Sequence, residues 1–284
     1  NSSNVLGTSF TLPYFKVISD SKDLTLTPIW FDSDTLMSTV EYRQENKNSS
    51  LITDFGFVNG YKSPTTKKKN SLSHFFLDYN LDLKLENFNS SNFEMSVNRV
   101  SNDSYLNVFD QYITKSNLRP LDFNKLTNYI NVRLNHSNFD LETGLKSFEN
   151  LRIKNQSDRY QYVLPYYNFD KHITKNYFNG NISFNSNGSN VLDNTNKLET
   201  NFTNNLTYNS IDFISNIGLK NNFGINLKNL NSVGKKSSKY KSNLQSELVS
   251  LYNLDISLPL KKNSQTYQNY LTPKLSLRFN PHDM

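Results

Sequence analysis

The 284-residue chain carries 31 Lys and Arg against 25 Asp and Glu, giving a net charge of +6, with a mean hydropathy of −0.65. It has no Cys, which excludes a disulfide scaffold and any thiolate metal site within the chain, while 20 Phe and 17 Tyr argue against disorder despite the polar average. Alanine is absent and Asn, Ser and Lys are plentiful, which speaks against long helices, and no run of about eighteen apolar residues exists to form a transmembrane helix.

In chain order, the opening NSSNVLGTSF has no initiating Met, basic region or apolar leader, and the close LRFNPHDM falls within a strand pattern. The expectation is a piece of a longer protein. The clearest element is the stretch around DYNLDLKLEN, where Phe75, Leu77, Tyr79, Leu81, Leu83 and Leu85 alternate with polar or charged residues such as Asp82, Lys84 and Glu86. Residues two apart share a face on a strand and oppose each other on a helix, so the spacing predicts a strand apolar on one side for about eleven residues. That is the length a tilted strand needs to cross a bilayer. The alternation recurs at Phe93, Met95 and Val97; at Ile130, Val132 and Leu134; and at Phe139, Leu141 and Leu145. It continues at Leu198, Phe202, Leu206 and Tyr208, then over Phe213, Ile217, Leu219, Phe223, Ile225 and Leu227, and ends with ELVSLYNLDISL and LTPKLSLRF. About fourteen strands are expected, well above an ordinary sheet.

Short turns are read near 86–92, 136–138, 170–174, 209–210 and 260–265. Long polar loops lie between them, among them NGYKSPTTKKKNS, the stretch from Ser101 to Asp122, SNGSNVLDNTNK and NLNSVGKKSSKYKS. Sorting short from long by end is a habit of transmembrane barrels. Because every backbone polar group in hydrocarbon must be paired, the expected fold is all-β: an antiparallel transmembrane β-barrel, present here as a partial, open, curled sheet. Residues 1–284 would form the N-terminal half of a large outer-membrane barrel domain, with apolar stripes toward lipid and intervening charges toward a wet lumen.

Several stretches then resemble a known family, the lipopolysaccharide-assembly protein LptD, or organic solvent tolerance protein, of Gram-negative outer membranes. They are GTSFTLPYFKV (7–17), DLTLTPIWF (23–31), VEYRQ (40–44), VNRVSNDSYLNVFD (97–110), YQYVLPYY (160–167) and LTPKLSLRF (271–279). The resemblance thins over 172–260. It implies a translocon that inserts lipopolysaccharide into the outer leaflet through a lateral seam. It further implies a plug lipoprotein of the LptE type and a periplasmic LptA-type bridge as partners. Pro13 matches the family's seam-side proline of the second strand, where a missing N–H weakens the ladder; a bland strand-end proline is the competing reading. Pro28, Pro165 and Pro273 are expected at strand ends or bulges, and the aromatics of YVLPYYNF in an interfacial girdle.

Lys67, Lys68 and Lys69, and Lys235 and Lys236 with Lys239 and Lys241, fall in the long loops. There they would meet anionic lipopolysaccharide headgroups or simply be solvated. No catalytic or metal pattern emerges: His74, His136, His172 and His282 are far apart, SVGKKSS lacks the earlier glycine of a phosphate loop, and no GxSxG occurs. Neither an enzyme, a cofactor nor a nucleic-acid partner is expected. Two other functions share much of the pattern. A general porin or receptor barrel would need a constriction loop or plug, and a secreted carbohydrate-binding β protein would fold without detergent.

Overall fold

A computed structural model describes residues 2–3, 6–62, 69–113, 118–154, 159–173, 179–193, 196–264 and 266–281. The fold is all-β, with 72% strand and 4% helix, built on an antiparallel sheet of 16 strands that is not closed. The chain divides into two compact units: Asn1–Leu134 with Thr143–Pro165 and Val191–Asn196, and Asn135–Glu142 with Tyr166–Asn190 and Lys197–Met284.

The first unit begins with β1 (Ser2–Ser3), β2 (Gly7–Thr11) and β3 (Tyr14–Ser19), followed by β4 (Lys22–Phe31), β5 (Leu36–Asn46) and β6 (Ser49–Lys62). It continues through β7 (Lys69–Asp82), β8 (Ser90–Val100), two short helices α1 (Tyr105–Val108) and α2 (Asp110–Ile113), and most of β9 (Lys125–His136). Strands β10 (Phe139–Asn150), β11 (Tyr160–Ile173) and β12 (Gly180–Asp193) give residues to both units. The second unit adds β13 (Lys197–Ser210), β14 (Phe213–Ile214), β15 (Lys220–Lys235), β16 (Gln245–Ser257), β17 (Leu260–Asn263), β18 (Gln268–Leu271) and β19 (Lys274–Phe279). Pairing is sequential and antiparallel: β4 with β5, β5 with β6, β6 with β7, β7 with β8, and, in the second unit, β13 with β15, β15 with β16 and β16 with β19.

Three sequence expectations need correction. The leucine stripe ends as a strand at Asp82; Leu83 and Leu85 lie in the turn to β8, with Lys84 and Asn87 at positive φ. The alternation of short and long connections is also not strict. Polar composition was taken for loop, yet β12 runs to Asp193, β15 to Lys235, and β7 begins at Lys69. Composition turns polar where the apolar band ends, but an antiparallel pair can go on hydrogen bonding beyond that point with both faces wet. At the end expected to be short, 258–273 holds a protruding hairpin, β17 with β18, whose register continues that of β16 with β19 past Pro259 and Pro273.

The third correction is the largest. Residues 101–113, within the stretch 101–122 expected to be an open polar loop, carry a core. Tyr105, Leu106, Phe109 and Ile113 are at most 2% exposed and pack with Ile29, Phe31, Met37, Val58, Leu72, Phe76 and Leu126. Phe109 meets Tyr61 edge-on at 5.6 Å, and Tyr112 meets Phe31 at 4.9 Å. The apolar residues of YLNVFDQYI recur at helical spacing, so two turns of helix suffice to present them on one side.

Candidate membrane-facing surface

In the first unit the register puts Leu24, Leu26, Pro28 and Trp30 of β4 on one face with Leu36, Val40 and Tyr42 of β5. Leu51, Phe55 and Phe57 of β6, Phe75, Leu77, Tyr79 and Leu81 of β7, and Phe93, Met95 and Val97 of β8 continue that face. Among the described residues of the unit nothing covers it: Trp30 is 44% exposed, Phe55 46% and Phe57 43%. The opposite face is divided. Toward the connections 32–35 and 101–124 it carries the core just described. Toward the turns 20–21, 47–48 and 83–89 it is polar, with Arg43 bonded to Asp23 at 2.8 Å and Arg133 to Glu94 at 3.1 Å.

The apolar stripes do not follow the hydrogen-bonded rows. On β4 the stripe centres near Thr27, whereas on β8 it centres on Met95, which lies in the row Tyr79–Leu51–Gln44–Lys22. The band therefore slips five residues over four strand spacings. At about 3.4 Å per residue and about 4.8 Å between strands, it is inclined about 40° to the rows. Strands held at that tilt to a flat apolar slab have this stagger.

The second unit has the same two-sidedness. Phe202, Leu206 and Tyr208 share a face with Phe223, Ile225 and Leu227, with Tyr252, Leu254 and Ile256, and with Leu275, Leu277 and Phe279. These stripes also step toward the 211–219 end from strand to strand. Near that end and the 137–138 turn the rings line up: His136 stacks on Phe139 at 4.9 Å, Phe139 meets Phe169 at 5.7 Å, and Phe169 meets Phe184 at 6.2 Å. Tyr208, Phe223 and Phe213 are spaced at 5.6 and 5.9 Å. Rows of aromatic rings, here with the polar edges of His136 and Tyr208 among the phenylalanines, are suited to a boundary between apolar and wet layers.

Pro13 lies between β2 and β3, which keep one register against β4, as Thr11 opposite Ile29 and Tyr14 opposite Leu26 show. Leu12 N–H donates to Pro28 C=O at 3.2 Å. The alternation of bonded and non-bonded pairs then turns the Pro13 nitrogen away from β4, toward the side on which β1 pairs with β2. Pro28, expected at a strand end, instead sits inside β4 with its nitrogen toward Leu12, so it is Pro28 that removes a bond from this pairing. Around them Phe10, Tyr14, Phe15 and Val17 are all more than half exposed.

Lys67 and Lys68 lie outside the described residues. Lys69 starts β7 opposite Lys62, exposed, in the first unit. In the second unit Lys235 ends β15 and Lys236 follows at positive φ, both exposed. In the connection they lead into, Lys239 sits 4.8 Å over the Tyr240 ring, and Ser237 donates to Glu199, which also pairs with Lys197 at 3.1 Å. The hydrogen bond to Tyr240 holds the Lys239 ammonium above its usual pKa.

Sequence reasoning missed a buried polar cluster under the 101–124 segment. His74, 1% exposed, stacks on Phe76 and approaches Asp54 Oδ1 at 3.3 Å through Nε2, without hydrogen-bond alignment. With the ring proton on Nε2, Tyr105 O–H donates to Nδ1 at 2.7 Å. Burial, and secondarily the Asp54 charge, push the Tyr105 phenol well above its ordinary range. Gly56 leaves the room: a Cβ there would come within 2.2 Å of the His74 ring. A further pin is Arg159, 2.6 Å from both Asp103 and Glu149. The signal that could have revealed the cluster is the placement of Asp54 and His74 on the otherwise apolar ends of their strands. Among the described residues no group of three His, Asp or Glu could hold a metal ion, and no helix is long and apolar enough to cross a membrane. No known protein family matches the chain, and a search of curated proteins finds no relative.

Proposed function

We propose that the chain forms part of an outer-membrane β-barrel whose uncovered face meets lipid, and that this barrel belongs to a lipopolysaccharide-inserting translocon. The observation that carries the membrane reading is the apolar band inclined about 40° to the hydrogen-bonded rows, a tilt ordinary for membrane strands. A soluble sandwich would hide such stripes between two layers. The lipopolysaccharide reading rests on the family resemblance, and Pro13 agrees with it because its nitrogen subtracts a donor from the side of the sheet that faces β1, where a seam would form. The plug lipoprotein and periplasmic bridge follow from the resemblance in the same way.

One observation favours a second reading, a porin or receptor barrel. The folded 101–113 segment packs on the face opposite the uncovered stripe, where a constriction loop would sit. Depletion of the full-length protein in its host separates the two. Loss of newly made lipopolysaccharide from the cell surface supports the translocon. Unchanged surface lipopolysaccharide with lost solute uptake supports the porin, and a protein recovered folded in buffer without detergent would remove both.

A further inference from the structure

The uncovered face of the second unit is crossed by a polar row. Ser186 Oγ donates to Asn204 Oδ1 at 2.8 Å, Asn204 Nδ2 to Asn229 Oδ1 at 3.3 Å, and Asn229 Nδ2 to Ser246 Oγ at 3.2 Å. The Tyr167 hydroxyl meets Ser186 Oγ at 3.0 Å, and Asn231 also donates to Asn229 Oδ1. Asn204 stands between Phe202 and Leu206 on the same face, both about two-fifths exposed, so the row belongs to the apolar side and not the lumen. Beyond it that face is mixed, with polar Thr200, Asn231 and Lys235 beside apolar Leu198, Phe202 and Val233. Below it on β15 only Leu227 and Ile225 intervene before Phe223 of the aromatic row.

We propose that this row marks the outer edge of the hydrocarbon along β12, β13 and β15, where the bilayer is pinched to bring its ester and phosphate layer down to the amides. The proposal rests on the membrane reading of the face. From Phe223 to Asn229 the chain climbs about 20 Å along the strand, or about 15 Å along the membrane normal at a 40° tilt. An ordinary barrel band is about 25 Å tall. Mutual hydrogen bonds satisfy part of the amide capacity, but headgroup contact costs less than leaving the rest in hydrocarbon. Lipids thin locally to meet a shortened apolar belt at modest cost.

This stretch has no Cys, so single cysteines introduced into it can be spin-labelled once any cysteines elsewhere in the full-length protein are replaced. Phe202→Cys, Leu206→Cys and, in the first unit, Phe55→Cys are made in the full-length protein and folded into dioleoylphosphatidylcholine vesicles. Collision with oxygen reports hydrocarbon, and collision with a water-soluble nickel chelate reports the polar layer. Positions 206 and 55 are expected to be oxygen-rich, and position 202 several-fold more open to nickel than 206. Equal oxygen access at 202 and 206 would overturn the pinch, as would shielding of 202 from both reagents, which would indicate a protein partner over the row. Nickel access at 55 would overturn the membrane reading itself. As a second measurement, Asn204→Leu with Asn229→Leu should move the best-folding vesicles toward longer acyl chains; an unmoved optimum counts against the pinch.

Discussion

An arginine scan along β6 tests the orientation of the sheet, because its outcome has opposite shapes in lipid and in water. The stripe on this strand runs from Leu51 to Phe57, flanked on the same face by Ser49 and Asn59. At a 40° tilt each residue adds about 2.6 Å along the membrane normal, so Thr53 and Phe55 lie within about 3 Å of the middle of the stripe, Leu51 and Phe57 about 8 Å out, and Ser49 and Asn59 about 13 Å out. Arginine at a bilayer midplane costs about 2–4 kcal/mol, falling to about 0–1 kcal/mol near the interface. Thr53→Arg and Phe55→Arg should therefore lose the most stability, with the loss falling away toward both ends of the series. Phe55 is 46% exposed, and in water a surface change of that kind is worth about 0.5 kcal/mol in either direction. The assay is guanidinium unfolding of the full-length protein from phosphatidylcholine vesicles, followed by tryptophan fluorescence. A flat profile, or one rising steadily toward one end, would refute the assignment of this face to hydrocarbon.

The docked 101–113 segment gives a second expectation. Phe109→Ala removes a fully buried ring, a truncation that costs about 3–5 kcal/mol, and should raise amide exchange across Tyr105–Ile113 while leaving the β5–β6 ladder protected. Loss of protection in both places would mean that the segment and sheet unfold as one. Gly56→Ala should act through His74, costing about 1–3 kcal/mol as the ring shifts, and histidine resonances would report that shift; an unperturbed His74 signal would contradict the close approach. For Tyr105 the sign is fixed by linkage. Its phenol is raised in the folded state, so the unfolded chain ionises first, above the ordinary value of 10.0. Stability from docking is thus whole below that pH and lost as pH rises beyond it. Phenolate absorbance should show one fewer late-titrating tyrosine in Tyr105→Phe than in wild type. Pro28→Val should restore a bond to Leu12 C=O, adding about 0.5–1.5 kcal/mol to the edge pairing, and the new amide at 28 should be slow to exchange; free exchange there would place the nitrogen elsewhere.

Period-two alternation was enough to determine strand class and which residues share a face, and the short connections pointed to antiparallel order. Leu77, Tyr79, Val97 and Met95 fall where parity alone puts them, since side-chain direction on a strand is a local property of the backbone. Strand ends were less legible, because the ladder at Asp193 and Lys235 is held by a neighbouring strand whatever the local hydropathy. Register, and with it the 40° slant of the apolar band, came only from the pairing of distant residues. The buried fate of Tyr105, Phe109 and His74 was likewise beyond reach: a short apolar helical segment amid polar residues reads as a solvated loop until an apolar sheet face receives it, here one where Gly56 makes room for the His74 ring that Tyr105 bonds. Burial is a relation between segments, and the spacing of residues within one segment does not contain it.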